Sequence, residues 1–231
     1  MSRTIATGIY DLYGRFYDRF EMLFKRRLER AITSLPLHSG DRVLDVGIGT
    51  GLSLEFYPSY AHVTGIDLSP GMLAQAQRKL DEGVVRVDAP RSDTVLVQAD
   101  ALNLPFEDAS FDAVFLSHVV TTVPDPRRCL TEAFRVARNH AYIVMVNHFR
   151  SPYPVMSWLE TAIDPLCRKL GWRCDLSLTE LLRSVGVEEA ERLERTQGQI
   201  FRIAFLQKTR DTVRLVRVPE PVVRAPKLET A

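Results

Sequence analysis

The sequence predicts an α/β fold built on a mostly parallel sheet of seven strands, and three observations support this prediction. Five short apolar segments alternate with helical patterns between residues 42 and 146. A glycine-rich loop directly follows the first segment, and acidic residues stand at the ends of the first three segments. Such alternation is typical of βαβ units, in which parallel strands end at one edge of the sheet.

The hydrophobic periodicity gives the order of the elements. Strands are predicted over 42–46, 62–67, 94–99, 112–117 and 141–146, and helices from about 52, over 70–80 and around 127–137. Residues 191–196 and 200–208 are predicted as a hairpin that closes the sheet with an antiparallel last strand. Together these elements predict one domain over 37–208, because a chain of 231 residues suits a single α/β core.

Two further regions carry a weaker pattern. Residues 151–177 contain both tryptophans, and we interpret them as an insertion that covers the site. The insertion is predicted to be helical around 155–170, with a break or kink at Pro165, and a short helix follows over 178–184. Residues 209–231 contain three prolines and are predicted to form a loosely ordered basic tail.

An amphipathic helix is predicted over 12–35, within an N-terminal segment 1–36 that we interpret as a membrane-binding element or lid. Six basic and three acidic residues give this helix a net charge of +3. A basic amphipathic helix is typical of segments that lie on an anionic membrane, and packing against its own domain is the alternative. The apolar residues recur at three- and four-residue steps: Leu12, Phe16, Phe20, Leu23, Phe24, Leu28, Ile32 and Leu35.

The composition excludes several classes of protein. Thirty basic and 29 acidic residues give a net charge of +1, which argues against a nucleic-acid-binding protein. Cys129, Cys167 and Cys174 are too scattered for a disulfide framework or a zinc site, so we expect a reducing, cytoplasmic compartment. The sequence contains no run of about 18 apolar residues, so no membrane span is predicted. The sequence therefore predicts a cytoplasmic protein, or one on a membrane surface that faces the cytoplasm.

The glycine-rich loop predicts a nucleoside-type ligand with a positive charge. It contains Gly47, Gly49 and Gly51, and glycines there allow positive φ angles and close approach of the backbone to a ligand. A dinucleotide site uses a similar loop, but the spacing here is Gly-x-Gly-x-Gly rather than Gly-x-Gly-x-x-Gly. Asp45, at the end of the preceding strand, would repel a pyrophosphate and suits a cationic amino-acid group.

Two more carboxylates complete the predicted site. Asp67 ends the second strand, where it can accept hydrogen bonds from both ribose hydroxyls. Asp100 ends the third strand, where it can accept from an adenine amino group, with Ala101 alongside.

These residues give the sequence a specific resemblance. The loop, the acidic ribose ligand and the block from Asp100 to Asp112 (Asp-Ala-x-x-Leu-Pro-Phe, then Ser-Phe-Asp) occur in order over roughly residues 40–147. This set resembles Rossmann-like class I methyltransferases of the quinone and lipid type. The resemblance implies S-adenosylmethionine as cofactor, S-adenosylhomocysteine as product, and no metal ion.

The resemblance also implies roles for residues outside the loop. Ser117 and His118 would line the pocket beside the transferred methyl group. Leu68 and Met72 would pack on the adenosine. Tyr17 belongs to a Tyr-Asp pair like the one that relatives close over the cofactor. The alternatives for this position are Tyr10 and Tyr13, which are also candidates for contact with the substrate.

Several residues are candidates for the chemistry at the acceptor. His118 is either a general base or proton relay, because imidazole titrates near neutral pH, or a hydrogen-bonded residue that shapes the pocket. Tyr17 either pairs with His118 and touches the substrate nitrogen, or packs under the cofactor. His148 and Arg150 follow the fifth strand, where they would bind a phosphate or, alternatively, cap the strand and face solvent.

Taken together, these features resemble the bacterial phosphatidylethanolamine N-methyltransferases of the quinone-methyltransferase-like type. The resemblance implies N-methylation of phosphatidylethanolamine, and of its monomethyl and dimethyl forms, towards phosphatidylcholine. It also implies a phospholipid substrate, and an enzyme held peripherally at the inner face of the cell membrane by its N-terminal helix. The alternatives are a C-methyltransferase of ubiquinone or menaquinone synthesis, a methyltransferase for a small soluble amine, and a catalytically silent protein that binds S-adenosylmethionine.

Overall fold

A computed structural model of the protein describes residues 25–83, 94–169, 171–187, 201–210 and 212–217. Four predictions lie outside the described residues: Tyr10, Tyr13, Tyr17 and the strand predicted over 191–196. The first half of the predicted N-terminal helix also lies outside them.

The fold is a seven-stranded sheet in the order β3-β2-β1-β4-β5-β6-β7. Strands β1 to β5 pair in parallel, and β6 pairs antiparallel with both β5 and β7. The strand order reverses beside β1, and in open α/β sheets ligands bind at such a point. The strands are β1 (Arg42–Val46), β2 (His62–Asp67), β3 (Thr94–Gln98), β4 (Phe111–Ser117), β5 (Ala137–His148), β6 (Phe201–Lys208) and β7 (Val213–Val216).

Five α-helices and one 3₁₀ helix are described. They are α1 (Lys25–Thr33), the 3₁₀ helix (Leu52–Phe56), α2 (Pro70–Asp81), α3 (Pro126–Val136), α4 (Pro154–Lys169) and α5 (Leu178–Ser184). The sequence explains where α2 and α3 begin, because each has a capping side chain followed by proline at the first helical position. The Ser69 hydroxyl accepts from the Met72 amide at 3.2 Å, and the Asp125 carboxylate accepts from the Arg128 amide at 2.9 Å. Among the described helices, none combines the length and the apolar character needed to cross a membrane.

The core lies on both faces of the sheet. Leu44, Ile66, Leu116 and Leu130 belong to the cluster that packs under α3 and α5. The second cluster contains Leu28, Ile32 and Leu35, which lie in α1 and directly after it, together with Val43, Phe115 and Phe205 of the sheet. The described part of the predicted amphipathic helix therefore buries its apolar side chains in its own domain rather than presenting them to a membrane.

The end of the sheet differs from the prediction. The hairpin is formed by β6 and β7. Strand β6 corresponds to the segment predicted over 200–208, and its partner β7 lies within the predicted tail. Val213 and Leu215 pack against the core, and this burial orders residues that the prolines further along had suggested were loose. The predicted antiparallel strand is β6, which is the sixth of the seven described strands, and β7 runs in the same direction as β5.

Two predicted helices also differ in detail. The helix after the glycine loop is the short 3₁₀ helix Leu52–Phe56. Helix α4 continues through Pro165 without a break. Pro165 and Thr161 both lie on the exposed side of α4, where water can satisfy the Thr161 carbonyl that Pro165 leaves without a donor.

Candidate active site

The glycine loop after β1 adopts a backbone conformation that other residues rarely reach. Gly47, Gly49 and Gly51 have φ angles of 73°, 57° and 79°. The amides of Gly47 and Ile48 both donate to the carbonyl of Ile66, at 2.8 and 2.9 Å, which fixes the loop against β2. A Cβ atom on Gly47 would lie 3.0 Å from the Val119 Cβ atom. The loop therefore needs glycine for both conformation and space.

A cavity of about 560 Å³ lies where β1, β2, β3 and β4 end, and the insertion covers part of it. Nine of the predicted site residues line this cavity: Gly47, Gly49, Asp67, Leu68, Met72, Asp100, Ala101, Ser117 and His118. The third glycine, Gly51, lies outside the lining and packs against α2, where an added Cβ atom would lie 3.1 Å from the Ala76 Cβ atom. Its role is to let the loop approach α2.

Asp67 is held in place by the backbone around it. Its Oδ2 atom accepts from the Gly49 amide at 3.0 Å, and its Oδ1 atom accepts from the Ser69 amide at 2.8 Å. A carboxylate accepts several hydrogen bonds, so a group oriented in this way at the cavity suits the hydroxyls of a diol. At the next strand end, the Asp100 Oδ1 atom accepts from the Leu102 amide at 2.9 Å. Both carboxylates are therefore oriented before any ligand binds.

Asp45 is placed differently from the prediction. Its side chain is fully buried and does not line the cavity. Its Oδ2 atom accepts from the Ser53 hydroxyl at 2.6 Å and from the Tyr57 hydroxyl at 3.0 Å. In the described part of the chain, its Oδ1 atom has no hydrogen-bond partner. Burial raises the pKa of Asp45 to about 6, although the two hydroxyl donors act in the opposite direction.

His118 directly follows β4 and has a positive φ angle of 56°. This conformation is uncommon outside glycine and is often found at functional sites. The His118 amide donates to the Val146 carbonyl at 2.9 Å, which holds the backbone in place. Burial, with smaller contributions from the charges of His148 and Arg27, lowers the pKa of the imidazole to about 4, so the ring is neutral at physiological pH.

The structure does not bring the predicted phosphate-binding residues into the cavity. His148 Nε2 lies 3.6 Å from Oε1 of the buried Glu160, and burial is the main cause that lowers the pKa of His148. Arg150 donates to Glu180 Oε1 at 3.1 Å. Both side chains therefore lie against acidic residues of α4 and α5 and outside the cavity lining.

Other residues in the cavity wall escaped prediction. Thr121 lines the cavity, and its hydroxyl accepts from the side-chain amide of the buried Asn147 at 2.9 Å. Arg168, Trp172 and Arg173 line the cavity from the insertion. The presence of both tryptophans in the insertion was the available sequence signal that it lines the site. No motif assigned a role to these individual residues.

Comparison with known proteins places this site in a family. A family model described as a methyltransferase domain matches residues 44–145. A phosphatidylethanolamine N-methyltransferase of Cereibacter sphaeroides is 36% identical over 170 residues, which is 73% of this chain and 81% of that protein. This chain belongs to the S-adenosylmethionine-dependent methyltransferases. The predicted family is therefore confirmed.

The methyltransferase also has relatives with a different acceptor. A demethylmenaquinone methyltransferase of Clavibacter sepedonicus is 35% identical over 157 residues, which is 65% of this chain and 61% of that protein. The YcgJ protein of Bacillus subtilis has a similar structure, with a TM-score of 0.58, 25% identity, and coverage of 68% of this chain and 64% of that protein. These comparisons confirm the Rossmann-like class I fold, with its mostly parallel sheet.

The residues of the cavity fit the cofactor of this methyltransferase family. When bound, S-adenosylmethionine supplies a methyl group on a sulfonium centre. The positive-φ glycines let the backbone approach a ligand, and the oriented Asp67 carboxylate in the cavity wall is an acceptor that suits a diol. In the part of the chain that the structure describes, no three His, Cys, Asp or Glu side chains form a metal site.

Proposed function

We propose that this methyltransferase transfers methyl groups to the amino nitrogen of phosphatidylethanolamine, and of its monomethyl and dimethyl forms, towards phosphatidylcholine at a membrane surface. The similarity to the phosphatidylethanolamine N-methyltransferase of Cereibacter sphaeroides carries the proposal, because it is 36% identical and extends over 81% of that protein. The geometry of the cavity and the surface of α4 add support.

In this proposal the cofactor lies along the strand ends. Asp67 accepts from the ribose hydroxyls, and Asp100 accepts from the adenine amino group, with Ala101 beside it. Leu68 and Met72 pack on the adenosine. The backbone of Gly47 and Gly49 borders the amino-acid part, and the buried Asp45 supports this end electrostatically.

We assign His118 to orienting the amine at the reacting end of the cavity, beside Ser117. Methyl transfer is an in-line displacement, so the enzyme must align the nitrogen lone pair with the methyl group. An imidazole with a pKa of about 4 is a poor base for an ammonium group, because an efficient base has a pKa near the working pH. A neutral imidazole still accepts or donates a hydrogen bond. Tyr17 remains a candidate for closing this end of the site.

The outer surface of α4 supports a location at the bilayer. Eight of the eleven large apolar side chains that are exposed in the described residues lie between Tyr153 and Trp172. Val155, Trp158 and Leu166 of α4 are 82%, 71% and 62% exposed. The cavity-lining residues Arg168 and Trp172 directly continue this surface, with Lys169 between them on the exposed side.

This combination of exposed apolar, aromatic and basic side chains is typical of elements that lie in the membrane interface. We therefore propose that α4 docks on an anionic bilayer, in addition to any contribution from residues 1–24. A lipid headgroup would then reach the cavity beside the docked helix.

A second acceptor has specific support. Relatives named demethylmenaquinone methyltransferase match a large part of the chain, so a quinone precursor is the alternative. Arg173 in the cavity wall favours the phospholipid, because a quinone offers no phosphate to pair with its guanidinium group.

A transfer assay tests the acceptor. The protein is incubated with methyl-labelled S-adenosylmethionine and either liposomes that contain phosphatidylethanolamine or a demethylmenaquinone. We expect label in the phospholipid fraction. Label in the quinone alone would establish the alternative, and label in neither acceptor would contradict both.

A flotation assay tests the membrane surface. Replacement of Trp158 and Leu166 by Gln is expected to reduce binding to anionic liposomes without changing stability, because both side chains are exposed. Val95→Gln is the matched control, because Val95 is 55% exposed on β3, outside the apolar surface of α4. Deletion of residues 1–24 tests the predicted N-terminal anchor separately. Unchanged flotation of the double variant would refute α4 as a docking element.

A further inference from the structure

The cavity has a cationic side that the cofactor does not explain. Its charged lining residues are two carboxylates, Asp67 and Asp100, and two guanidinium groups, Arg168 and Arg173. Asp67 ends β2 and Asp100 follows β3, and both strands lie on one side of β1 in the sheet. Arg173 contacts the segment after β4, on the other side of β1. The cationic side therefore lies across β1 from the two carboxylates that are assigned to the nucleoside.

The backbone of Arg173 is fixed on both sides. Its amide donates to the carbonyl of Thr121 at 2.9 Å, and Thr121 is itself a lining residue. The next amide, that of Cys174, donates to Oδ1 of the buried Asp164 at 2.8 Å. These two bonds tie the loop after α4 to the strand ends and to α4. The side chain of Arg173 is thus presented to the cavity from a rigid support.

The two arginines differ in their partners. Arg168 donates to Asp164 and, through Nη2, to both oxygens of Asp175 at 3.2 and 3.0 Å. The buried Nε atom of Arg173 has no hydrogen-bond partner among the described residues. Its ion pair with Asp175 Oδ1, at 3.7 Å, is beyond hydrogen-bond distance. Arg168 is therefore committed to structural pairs, and Arg173 retains donors for another group.

We propose that Arg173 forms an anion-binding subsite that holds the phosphodiester of the acceptor lipid. Among the described residues, the guanidinium of Arg173 has the long ion pair with Asp175 Oδ1, and an anionic oxygen in the cavity would add the charge-assisted hydrogen bonds that this pair lacks. The planar guanidinium matches a phosphate with two parallel hydrogen bonds. Because Thr121 follows His118 closely in the chain, the subsite and the amine-orienting residue share one segment. The identity of the anion as a phospholipid headgroup rests on the proposed function.

Binding of a soluble headgroup tests the subsite without turnover. Titration calorimetry measures glycerophosphoethanolamine and inorganic phosphate binding to protein saturated with S-adenosylhomocysteine. We expect Arg173→Met to weaken headgroup binding about tenfold or more, the usual range for a lost charge-assisted bond. Arg173→Lys keeps the charge and should fall between this variant and the wild type. Arg127→Met is the matched control, because Arg127 is exposed on α3 outside the cavity.

The kinetic counterpart separates binding from chemistry. With phosphatidylethanolamine in detergent micelles, Arg173→Met should raise KM for the lipid by the same factor and leave kcat and S-adenosylhomocysteine affinity nearly unchanged. Unchanged headgroup binding in this variant would overturn the proposal. Loss of S-adenosylhomocysteine affinity with unaltered headgroup binding would also overturn it, because Arg173 would then serve the cofactor carboxylate.

The test also distinguishes this subsite from the proposed function. A wild-type protein that methylates no phospholipid but binds phosphate through Arg173 would retain the anion subsite and lose the phospholipid acceptor. A wild-type protein that binds neither probe would overturn the subsite itself. If Arg150→Met weakened headgroup binding and Arg173→Met did not, the phosphate would bind at Arg150, and the proposal would be overturned.

Discussion

The two walls of the cavity place their side chains by opposite rules. In the wall formed by β1, β2 and β3, apolar residues such as Leu44 and Ile66 are buried, and carboxylates stand at the strand ends. In the wall formed by the insertion, helix α4 buries Glu160 and exposes Val155 and Trp158 among others. One wall is held by apolar packing, and the other is held by polar contacts.

Polar contacts of the insertion explain how α4 stays attached although its apolar side is exposed. Glu160 Oε2 accepts from the Ser151 amide at 2.6 Å, and Asp164 Oδ1 accepts from the Cys174 amide at 2.8 Å. Burying a carboxylate is costly unless such bonds compensate it. The helix is thereby fixed at both ends of the insertion, and its apolar side is exposed. In α4 the buried side is therefore the charged one, in contrast to an ordinary amphipathic helix.

The largest expected effect on ligand affinity concerns the wall formed by β1, β2 and β3. Asp67→Asn should weaken S-adenosylhomocysteine binding about tenfold to a hundredfold. The asparagine side chain has only one acceptor oxygen, so it cannot accept from the backbone amides of Gly49 and Ser69 and from the ribose hydroxyls at the same time. Calorimetry measures the affinity. Asp81→Asn is the control, because Asp81 is exposed and accepts only from Gln77 among the described residues. Equal affinities of the two variants would mean that Asp67 does not contact the ribose.

A second test concerns packing behind the glycine loop. Gly51→Ala should lower the free energy of unfolding by about 2–4 kcal/mol, since it combines a left-handed conformation with overpacking. The added Cβ atom would lie 2.9 Å from the Leu54 Cδ1 atom. Gly40→Ala is the matched control, because Gly40 has a φ of 87° with open space around it, and should cost about 1–2 kcal/mol. Urea unfolding compares them, and equal losses would show that the loop relaxes around the methyl group.

The third test sharpens the contrast within α4. Glu160→Leu should lower the free energy of unfolding by about 1–3 kcal/mol, because the Ser151 amide loses its acceptor in a buried position. The neighbouring Leu159 is 46% exposed, and Leu159→Gln should change the free energy by less than about 0.5 kcal/mol. Chemical denaturation of both variants decides the point. A larger loss for Leu159→Gln would mean that the apolar side of α4 is covered within the protein.

The last test concerns the pH dependence that His118 contributes. Its folded pKa of about 4 lies below the ordinary 6.5, so between these values the unfolded chain binds the extra proton. The stability of the wild type should therefore fall as pH decreases from 6.5 through 4, relative to His118→Asn. Asparagine tolerates the positive φ and does not titrate. Unfolding at pH 7 and pH 4.5 measures the difference.

The raised pKa of Asp45 acts with the opposite sign, because the folded protein then binds the extra proton between 3.8 and about 6. Both proteins contain Asp45, so its contribution cancels from the comparison. A parallel pH profile for the wild type and His118→Asn would contradict the depressed pKa of His118.

By itself, the sequence determined the wall formed by β1, β2 and β3. Strands β1 and β2, the glycine loop and the acidic strand ends at Asp67 and Asp100 follow from local patterns, and a parallel sheet brings its strand ends together without further information. Even here, only the tertiary structure showed that Asp45 is enclosed by Ser53 and Tyr57.

Only the tertiary structure decided the wall formed by the insertion. The inverted polarity of α4, the pairing of β7 with β6 and the contact of Arg173 with Thr121 all depend on segments distant along the chain. Periodicity reports which side of a helix is apolar, but not which side is buried. That choice belongs to the long-range hydrogen bonds of Glu160 and Asp164, which local sequence does not encode.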